Sequence, residues 1–160
     1  MITLTIIIAA NALFFDSISN SSQGLLDDLI GSVSGTVRSV ALCKVFSNEI
    51  SQDCKYMDED SKNNFVKSVH QAKKSLRPGH SKAMNMYLMK ITLVGEVQNL
   101  EKRNCFLVDE LKGVDGLYVS KIDAGENCSN TSFKYLEGSV KVPNFLNKQG
   151  RIRNFVGKAN

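Results

Sequence analysis

The spacing of apolar residues changes once along this chain, near Met84, and that change limits the folds open to it. Before Met84, apolar side chains recur every three or four residues, which is the spacing of one face of an α-helix. After Met84 they alternate with polar side chains, as in strands with one buried face. A helix face and a sheet face of this kind can be buried only against each other. We therefore expect an α+β domain in which N-terminal amphipathic helices pack on an antiparallel β-sheet.

The first predicted helix runs from about Ser22 to Ser47. Ser22 is a suitable N-terminal cap, and the helix dipole favours acidic residues in the first turns. Gly31 and Gly35 have two interpretations: they leave one helix face flat for a close neighbour, or they break the helix in two. The apolar stripe consists of Leu26, Leu29, Ile30, Val33, Val37, Val40 and Ala41.

The second predicted helix opens at Asp58, Asp60 or Ser61 and stops at Pro78-Gly79. Its last turn would then carry three basic side chains, at the end of the helix dipole that favours cations. Its apolar stripe is Phe65, Val69, Ala72 and Leu76, and its basic residues are Lys73, Lys74 and Arg77.

Four or five strands are expected after the helices. Their short connections carry Gly, Asn and Asp, which favours antiparallel hairpins and a meander. Lys112–Gly116 is a strong turn signal, and Gly138 marks a bulge or bend within a strand. The predicted strands are Tyr87–Val97, Cys105–Val108, Leu117–Ile122, Ser132–Val142 and Arg151–Val156, with a turn at Asn147–Gly150 before the last.

The first fifteen residues are almost wholly apolar and a polar run follows them. This apolar stretch is too short to span a bilayer but suits a signal peptide, with Ser17 and Ser19 as the small residues at the cleavage site. We expect residues 1–19 to be a signal peptide and residues 20–160 to form one secreted domain. The alternative is a buried N-terminal strand, because Ile2–Ile8 is rich in β-branched residues.

Sequons and cysteines agree with an extracellular location. Asn-x-Ser/Thr sequons occur at Asn20, Asn127 and Asn130, and we expect them to be glycosylated. The cysteine count is even, and four cysteines permit three pairings. Proximity in sequence favours two bridges, and zinc is disfavoured because there is no CxxC pair and the histidines are poorly spaced. The expected bridges are Cys43–Cys54 and Cys105–Cys128.

Other functional classes find little support in the sequence. The net charge is +4, and its basic residues are scattered rather than clustered, which does not indicate nucleic-acid binding. No second apolar run is long enough to span a membrane. The chain has two histidines, His70 and His80, and no GxSxG, HExxH or phosphate-loop motif. We expect a protein that is not an enzyme and needs no cofactor and no metal.

Four segments together resemble a family of elongated lipid-binding proteins of arthropods: the takeout proteins, the juvenile-hormone-binding proteins and the mite group 7 allergens. The segments are Leu111–Ile122, Ser132–Leu136, Val140–Phe145 and Gly150–Phe155, within about a third of the chain. The resemblance implies an amphipathic helix lying along a curled sheet, with an apolar ligand between them. Members of that family are usually longer and end in further strands and a helix.

The expected function is therefore secreted, non-catalytic binding of a hydrophobic small molecule or lipid between the first helix and the sheet. Apolar clefts with few polar groups are typical of such sites. The same apolar residues would also serve as an ordinary core, since core and pocket wall have the same composition. The residues expected to line the site are Leu29, Val33, Val37, Ile91, Leu93 and Tyr118.

The alternative is a secreted module that binds another protein, for example a cystatin-like protease inhibitor. A helix followed by an antiparallel meander with disulfides has the right general shape. The inhibitory Gln-x-Val-x-Gly hairpin is absent, however, and its nearest counterpart is Leu93-Val-Gly95. The chain also has no Trp for a second binding hairpin.

Overall fold

The computed structural model describes residues 20–79, 81–95, 101–146 and 155–156, and within them it confirms the α+β class. The helices are α1 (residues 20–34) and α2 (Glu59–His70). The strands are β1 (Val37–Phe46), β2 (Glu49–Met57), β3 (Lys73–Lys74), β4 (Ala83–Val94), β5 (Glu101–Leu111), β6 (Leu117–Asp123), β7 (Lys134–Val142) and β8 (Phe155–Val156).

These strands form one sheet in the order β3-β7-β6-β5-β4-β1-β2-β8, and every pairing is antiparallel. The sheet is open, with the two-residue strands β3 and β8 at its edges. Strands β4 to β7 are consecutive neighbours, which confirms the meander for four of the five predicted strands, whereas the fifth, β8, pairs with β2 at the other edge of the sheet. Among the described residues the sheet has eight strands rather than four or five, because the sequence did not reveal β1, β2 and β3.

The predicted first helix was too long. It ends at residue 34, and the chain from Val37 is strand β1 instead. Strand β1 lies inside the sheet with apolar side chains on both faces, so the alternation that identifies a half-buried strand is missing. The prediction that another element packs closely against Gly31 was also wrong, because a Cβ there would meet nothing within 4 Å. The helix ends just before Gly35, but a strand follows it and not the second helix that the alternative interpretation implied.

A tight hairpin that the sequence did not predict joins β1 to β2. Its two turn residues, Ser47 and Asn48, both have positive φ angles, of 51° and 63°. Positive φ at both central positions gives a turn whose twist matches that of the flanking strands. Asn is common in such turns but Ser is not, so the Ser47-Asn48 pair did not predict a hairpin.

Helix α2 begins where the sequence predicted and ends earlier. The Asp58 carboxylate caps it by accepting a hydrogen bond from the backbone N–H of Ser61, at 2.8 Å. The helix ends at His70, well before Pro78, and Lys73–Lys74 pairs with β7 as an edge strand. The basic residues of the last turn are therefore Lys67 and His70 instead of the three predicted.

The main core lies between the helices and one face of the sheet, here called the helical face. Leu25 and Leu29 of α1 and Phe65 and Val69 of α2 are completely shielded from solvent. Burial of each such side chain stabilises the fold by about 1.5–3 kcal/mol. The strand residues in this cluster alternate along each strand and include Val40, Leu42, Tyr87, Met89, Ile91, Phe106, Val108, Leu117, Val119, Val140 and Val142.

The opposite face of the sheet carries a smaller core and both disulfides. Cys43 pairs with Cys54 and Cys105 with Cys128, with Cα–Cα distances of 4.1 and 6.0 Å, so the predicted bridges are confirmed. The first joins the hairpin strands β1 and β2. The second joins β5 to the loop that carries two of the sequons. The apolar side chains of this smaller core include Val45, Ile50, Leu88, Leu107, Ile122 and Phe133.

Gly138 lies where the sequence predicted an irregularity. The pairing of β6 with β7 shifts register between Ser120 and Ile122, opposite this part of β7. The φ of Gly138 is 103°, and a Cβ there would lie 2.9 Å from the carbonyl oxygen of Ser21. Glycine thus allows the strand to bend under the start of α1.

Several predictions fall wholly or partly outside the described residues, among them the end of the predicted strand Tyr87–Val97. The signal peptide at residues 1–19 and the turn at Asn147–Gly150 lie outside the described residues. The predicted strand Arg151–Val156 is described at Phe155–Val156, and these two residues pair with β2. Neither helix in the described part of the chain is both long and apolar enough to cross a membrane.

Candidate functional site

A cleft of about 480 Å³ opens along one side of α1, where the helix passes over β5 and β6. We call it the helix–sheet cleft. Its helix wall is formed by Asp27, Asp28, Gly31 and Ser32. Its sheet wall is formed by residues 102–106 and 121–125, with Leu93 and Cys128.

Two polar contacts tie α1 to the sheet at this cleft. The amide Nδ2 of Asn104 donates a hydrogen bond to the Ser32 hydroxyl at 2.8 Å. That hydroxyl in turn donates to the carbonyl oxygen of Asp28 at 2.7 Å, so both of its hydrogen-bonding functions are used. The ammonium of Lys121 lies 2.7 Å from the Asp28 carboxylate, in a half-exposed ion pair. The cleft is therefore a fixed gap between two tethered elements.

The cleft combines apolar and polar surfaces. The buried Phe106, the partly buried Leu93 and the Cys105–Cys128 disulfide supply apolar surface at the sheet side. Charged side chains of both signs surround it, and their carboxylates already have partners within the protein. Asp27 accepts from Gln23, Asp28 from Lys121, and Asp123 from the backbone N–H of Gly125. Such a lining can hold a molecule that has both an apolar and a polar part.

The six residues predicted to line a ligand site are divided between the two faces of the sheet. Leu29, Val33 and Ile91 are buried in the main core, and Val37 and Leu93 pack against its margin. Of these, Leu93 also lines the helix–sheet cleft. The sixth residue, Tyr118, belongs to the opposite face, because its neighbours Leu117 and Val119 point to the helical face.

Sequence reasoning missed the polar residues of the cleft. Asp28, Gly31 and Ser32 share one side of a helix, since they are three or four positions apart, and this spacing was visible in the sequence. Their partners were not. Asn104 lies 72 positions from Ser32 and Lys121 lies 93 positions from Asp28. Contacts between residues so far apart in the sequence cannot be inferred without knowledge of the fold.

The opposite face carries a buried ion pair between Arg77 and Asp109. The Nε of Arg77 donates to Oδ2 of Asp109 at 2.7 Å, and the Asp109 side chain is only 2 % exposed. Oδ1 of the same carboxylate has no hydrogen-bond donor among the described residues. Burial raises the pKa of Asp109 above its ordinary value, and the charge and hydrogen bond of Arg77 oppose that rise.

Two of the sequons lie in the loop beside the cleft. Asn127 and Asn130 are both exposed, as is Asn20 at the start of α1. Exposure at all three positions is what attachment of a glycan requires, and glycosylation itself remains a prediction.

Comparison of the chain with protein-family models, with curated proteins and with solved structures finds no match in any of the three.

Proposed function

We propose that this protein is a secreted, non-catalytic binding protein that carries a small lipid-like molecule in the helix–sheet cleft. The observation that carries the proposal is the cleft itself, with its volume of about 480 Å³ between α1 and the sheet. Clefts of about 300–1,000 Å³ are typical of small-molecule sites. The resemblance to arthropod lipid-binding proteins supports the same position for the ligand, beside a helix that lies along a sheet.

The ligand that fits this lining is amphipathic, with an apolar body against Leu93 and Phe106 and a polar end among the charged residues. This modifies the site expected from the sequence. Leu29, Val33 and Ile91 fill the space beneath the helix, so the ligand would lie along the helix's open side. The paired cysteines and the exposed sequons support an oxidising, extracellular location.

A glycine substitution tests the proposal without disturbing the core. We expect Gly31→Leu to weaken binding of a fluorescent fatty acid at least about tenfold, because a side chain there grows into the cleft. The fold should survive, since a Cβ at Gly31 meets nothing within 4 Å. Replacing a helical glycine should even stabilise α1 by up to about 1 kcal/mol.

The matched control is Gly24→Leu. Gly24 is also exposed on α1 with nothing within 4 Å of its Cβ, but it does not line the cleft and precedes Asp27, the first helix residue that does, by three positions. It should gain the same helix stability and bind the probe like the wild type. Equal affinity in both variants, or no probe binding by the wild type at micromolar concentration, would refute the carrier proposal.

A second candidate function, binding another protein, is favoured by one observation. Phe46, Met84 and Tyr135 are 67 %, 45 % and 50 % exposed, and Phe46 and Met84 line one groove at an end of the sheet. Exposed apolar groups of this kind are common at protein–protein contacts. Native mass spectrometry of the protein from its own source separates the candidates: a co-purifying lipid supports the carrier, and a stoichiometric protein partner supports the interaction module.

A further inference from the structure

A second groove, of about 300 Å³, lies on the face of the sheet opposite α1. We call it the basic groove. Strands β1, β2, β4 and β5 all contribute to it. The side chains that line it include Arg38, Ser39, Tyr56, Lys90, Thr92 and Arg103.

The sheet register brings these groups together. Lys90 is on β4, with Ala41 of β1 and Cys105 of β5 as its cross-strand partners. Thr92, two residues further along the same face, is paired with Arg103. Lys90 and Arg103 are therefore diagonal neighbours near the middle of an eight-stranded sheet.

Positive charge exceeds negative charge in the basic groove. Arg38, Lys90 and Arg103 line it together with a single acidic residue, Glu101. Glu101 pairs with Arg38 and lies 3.6 Å from Arg103, so its two oxygens are directed to the arginines. Lys90 is left without a counter-charge, since no described carboxylate lies within ion-pair distance of its ammonium.

The surroundings of Lys90 disfavour its charged form. It is only partly exposed, and burial followed by the nearby charge of Arg103 lowers its pKa. The other titratable groups around it are Arg38 on β1, Tyr56 on β2 and Glu101 on β5. Lys90 also lines an adjoining depression of about 140 Å³.

The groove also offers neutral hydrogen-bond donors. The hydroxyls of Ser39, Tyr56 and Thr92 share it with the three basic side chains. Cationic and hydroxyl donors around one small hollow are the usual means by which proteins bind phosphate, sulfate or carboxylate groups.

We infer that the basic groove binds the anionic group of a small molecule, with Lys90 and Arg103 as its principal charged contacts. An oxyanion there would give Lys90 the counter-charge that it lacks and would weaken its repulsion from Arg103. Arg103 also lines the helix–sheet cleft, but Lys90 lines the basic groove and not the cleft, so the Lys90 variant tests this inference separately from the carrier proposal.

Titration with inorganic phosphate and with phenyl phosphate tests this inference, using the side-chain NMR signals of Lys90. We expect both probes to bind, to raise the pKa of Lys90, and to bind more weakly as sodium chloride is added. Tighter binding of phenyl phosphate would show that the groove accepts an organic molecule by its anionic end, as inferred. Binding of inorganic phosphate without binding of phenyl phosphate would show that the groove holds only a free oxyanion, and it would overturn the inference that the groove binds a small organic molecule.

Variants locate the binding. Lys90→Met keeps the aliphatic length and should weaken phosphate affinity about tenfold. Lys67→Met, an exposed lysine on α2, should change nothing. Arg38→Met is a second test that does not threaten the fold, because the Arg38 side chain is 62 % exposed, and it should weaken binding by a smaller factor. Gly31→Leu should bind phosphate normally.

Equal phosphate affinity in the wild type, Lys90→Met and Lys67→Met would overturn the inference. So would a Lys90 pKa that does not move when either probe is added. Lys90 would then be a lysine whose aliphatic part covers apolar surface while its ammonium reaches water, a common arrangement for this side chain.

Discussion

Replacing Arg77 with methionine is expected to lower the free energy of unfolding by about 2–4 kcal/mol near neutral pH. The Asp109 carboxylate is almost fully buried, and Arg77 is its charged partner at 2.7 Å. Without Arg77 the carboxylate would remain buried with no counter-charge among the described residues, and burial of an unpaired charge is costly. We expect the loss of stability to be smaller than for a fully buried ion pair, because the Arg77 side chain is 30 % exposed.

The loss of stability in Arg77→Met is expected to depend on pH. Burial already raises the pKa of Asp109, and removal of Arg77 takes away the two influences that lower it. An acid whose pKa is higher in the folded state than in the unfolded state binds its proton more tightly when folded. Its contribution to stability is thus fully present below the unfolded pKa and is lost as pH rises through the folded pKa. Urea unfolding should show that Arg77→Met is much less destabilised near pH 4 than near pH 7.

Two further variants test the explanation. In an Asp109→Asn background, Arg77→Met should cost much less, because no charge is left unpaired. Lys62→Met removes the cationic partner of Glu59 on α2, whose carboxylate is exposed, while keeping most of the aliphatic chain, and it should cost at most about 1 kcal/mol. If Arg77→Met were equally destabilising with Asp109 and with Asn at position 109, the ion pair would not be the cause.

The elements that the sequence predicted well depend on local signals. The start of α2 follows from Asp58 and the backbone N–H three residues on, and both are visible in a four-residue window. The β5–β6 hairpin follows in the same way from the turn at Lys112–Gly116. The two disulfides follow from short sequence separations of 11 and 23 residues.

The elements that the sequence mispredicted depend on tertiary contacts. Residues Val37–Phe46 have apolar side chains at helical spacing, but Val40 pairs across the sheet with Ile91. Tyr118 lies between Leu117 and Val119, and three consecutive apolar residues do not reveal which of them face the helices. The structure places Tyr118 opposite Asp109, on the other face from the helices.

The sequence predicted a binding site beside the first helix, and the cleft that the structure has there is lined by one of the six predicted residues, Leu93. A binding site beside the first helix follows from the two apolar periodicities and from the family resemblance. Its polar residues are Asp28, Ser32, Asn104 and Lys121, which meet only because β5 and β6 pass beneath α1. The apolar residues that sequence reasoning chose instead are those with the strongest periodicity, and strong periodicity identifies a core before it identifies a pocket.

Leu29→Ala distinguishes core from pocket. Leu29 is completely shielded from solvent within the cluster that joins α1 to the sheet. We expect its truncation to lower the free energy of unfolding by about 2–5 kcal/mol, through lost burial and the cavity left behind. Leu76→Ala is the matched control: Leu76 is 55 % exposed, and its truncation should change stability by no more than about 0.5 kcal/mol.

The same variant also reports on ligand binding. Leu29 does not line the helix–sheet cleft, so the fraction of Leu29→Ala that remains folded should bind a fluorescent fatty acid with wild-type affinity. Urea unfolding measures the first effect, and probe titration well below the midpoint measures the second. Unchanged stability together with lost probe binding would contradict this expectation. It would place the ligand beneath the helix, against Leu29 itself, because a side chain that can be truncated without cost faces a space that the protein does not fill.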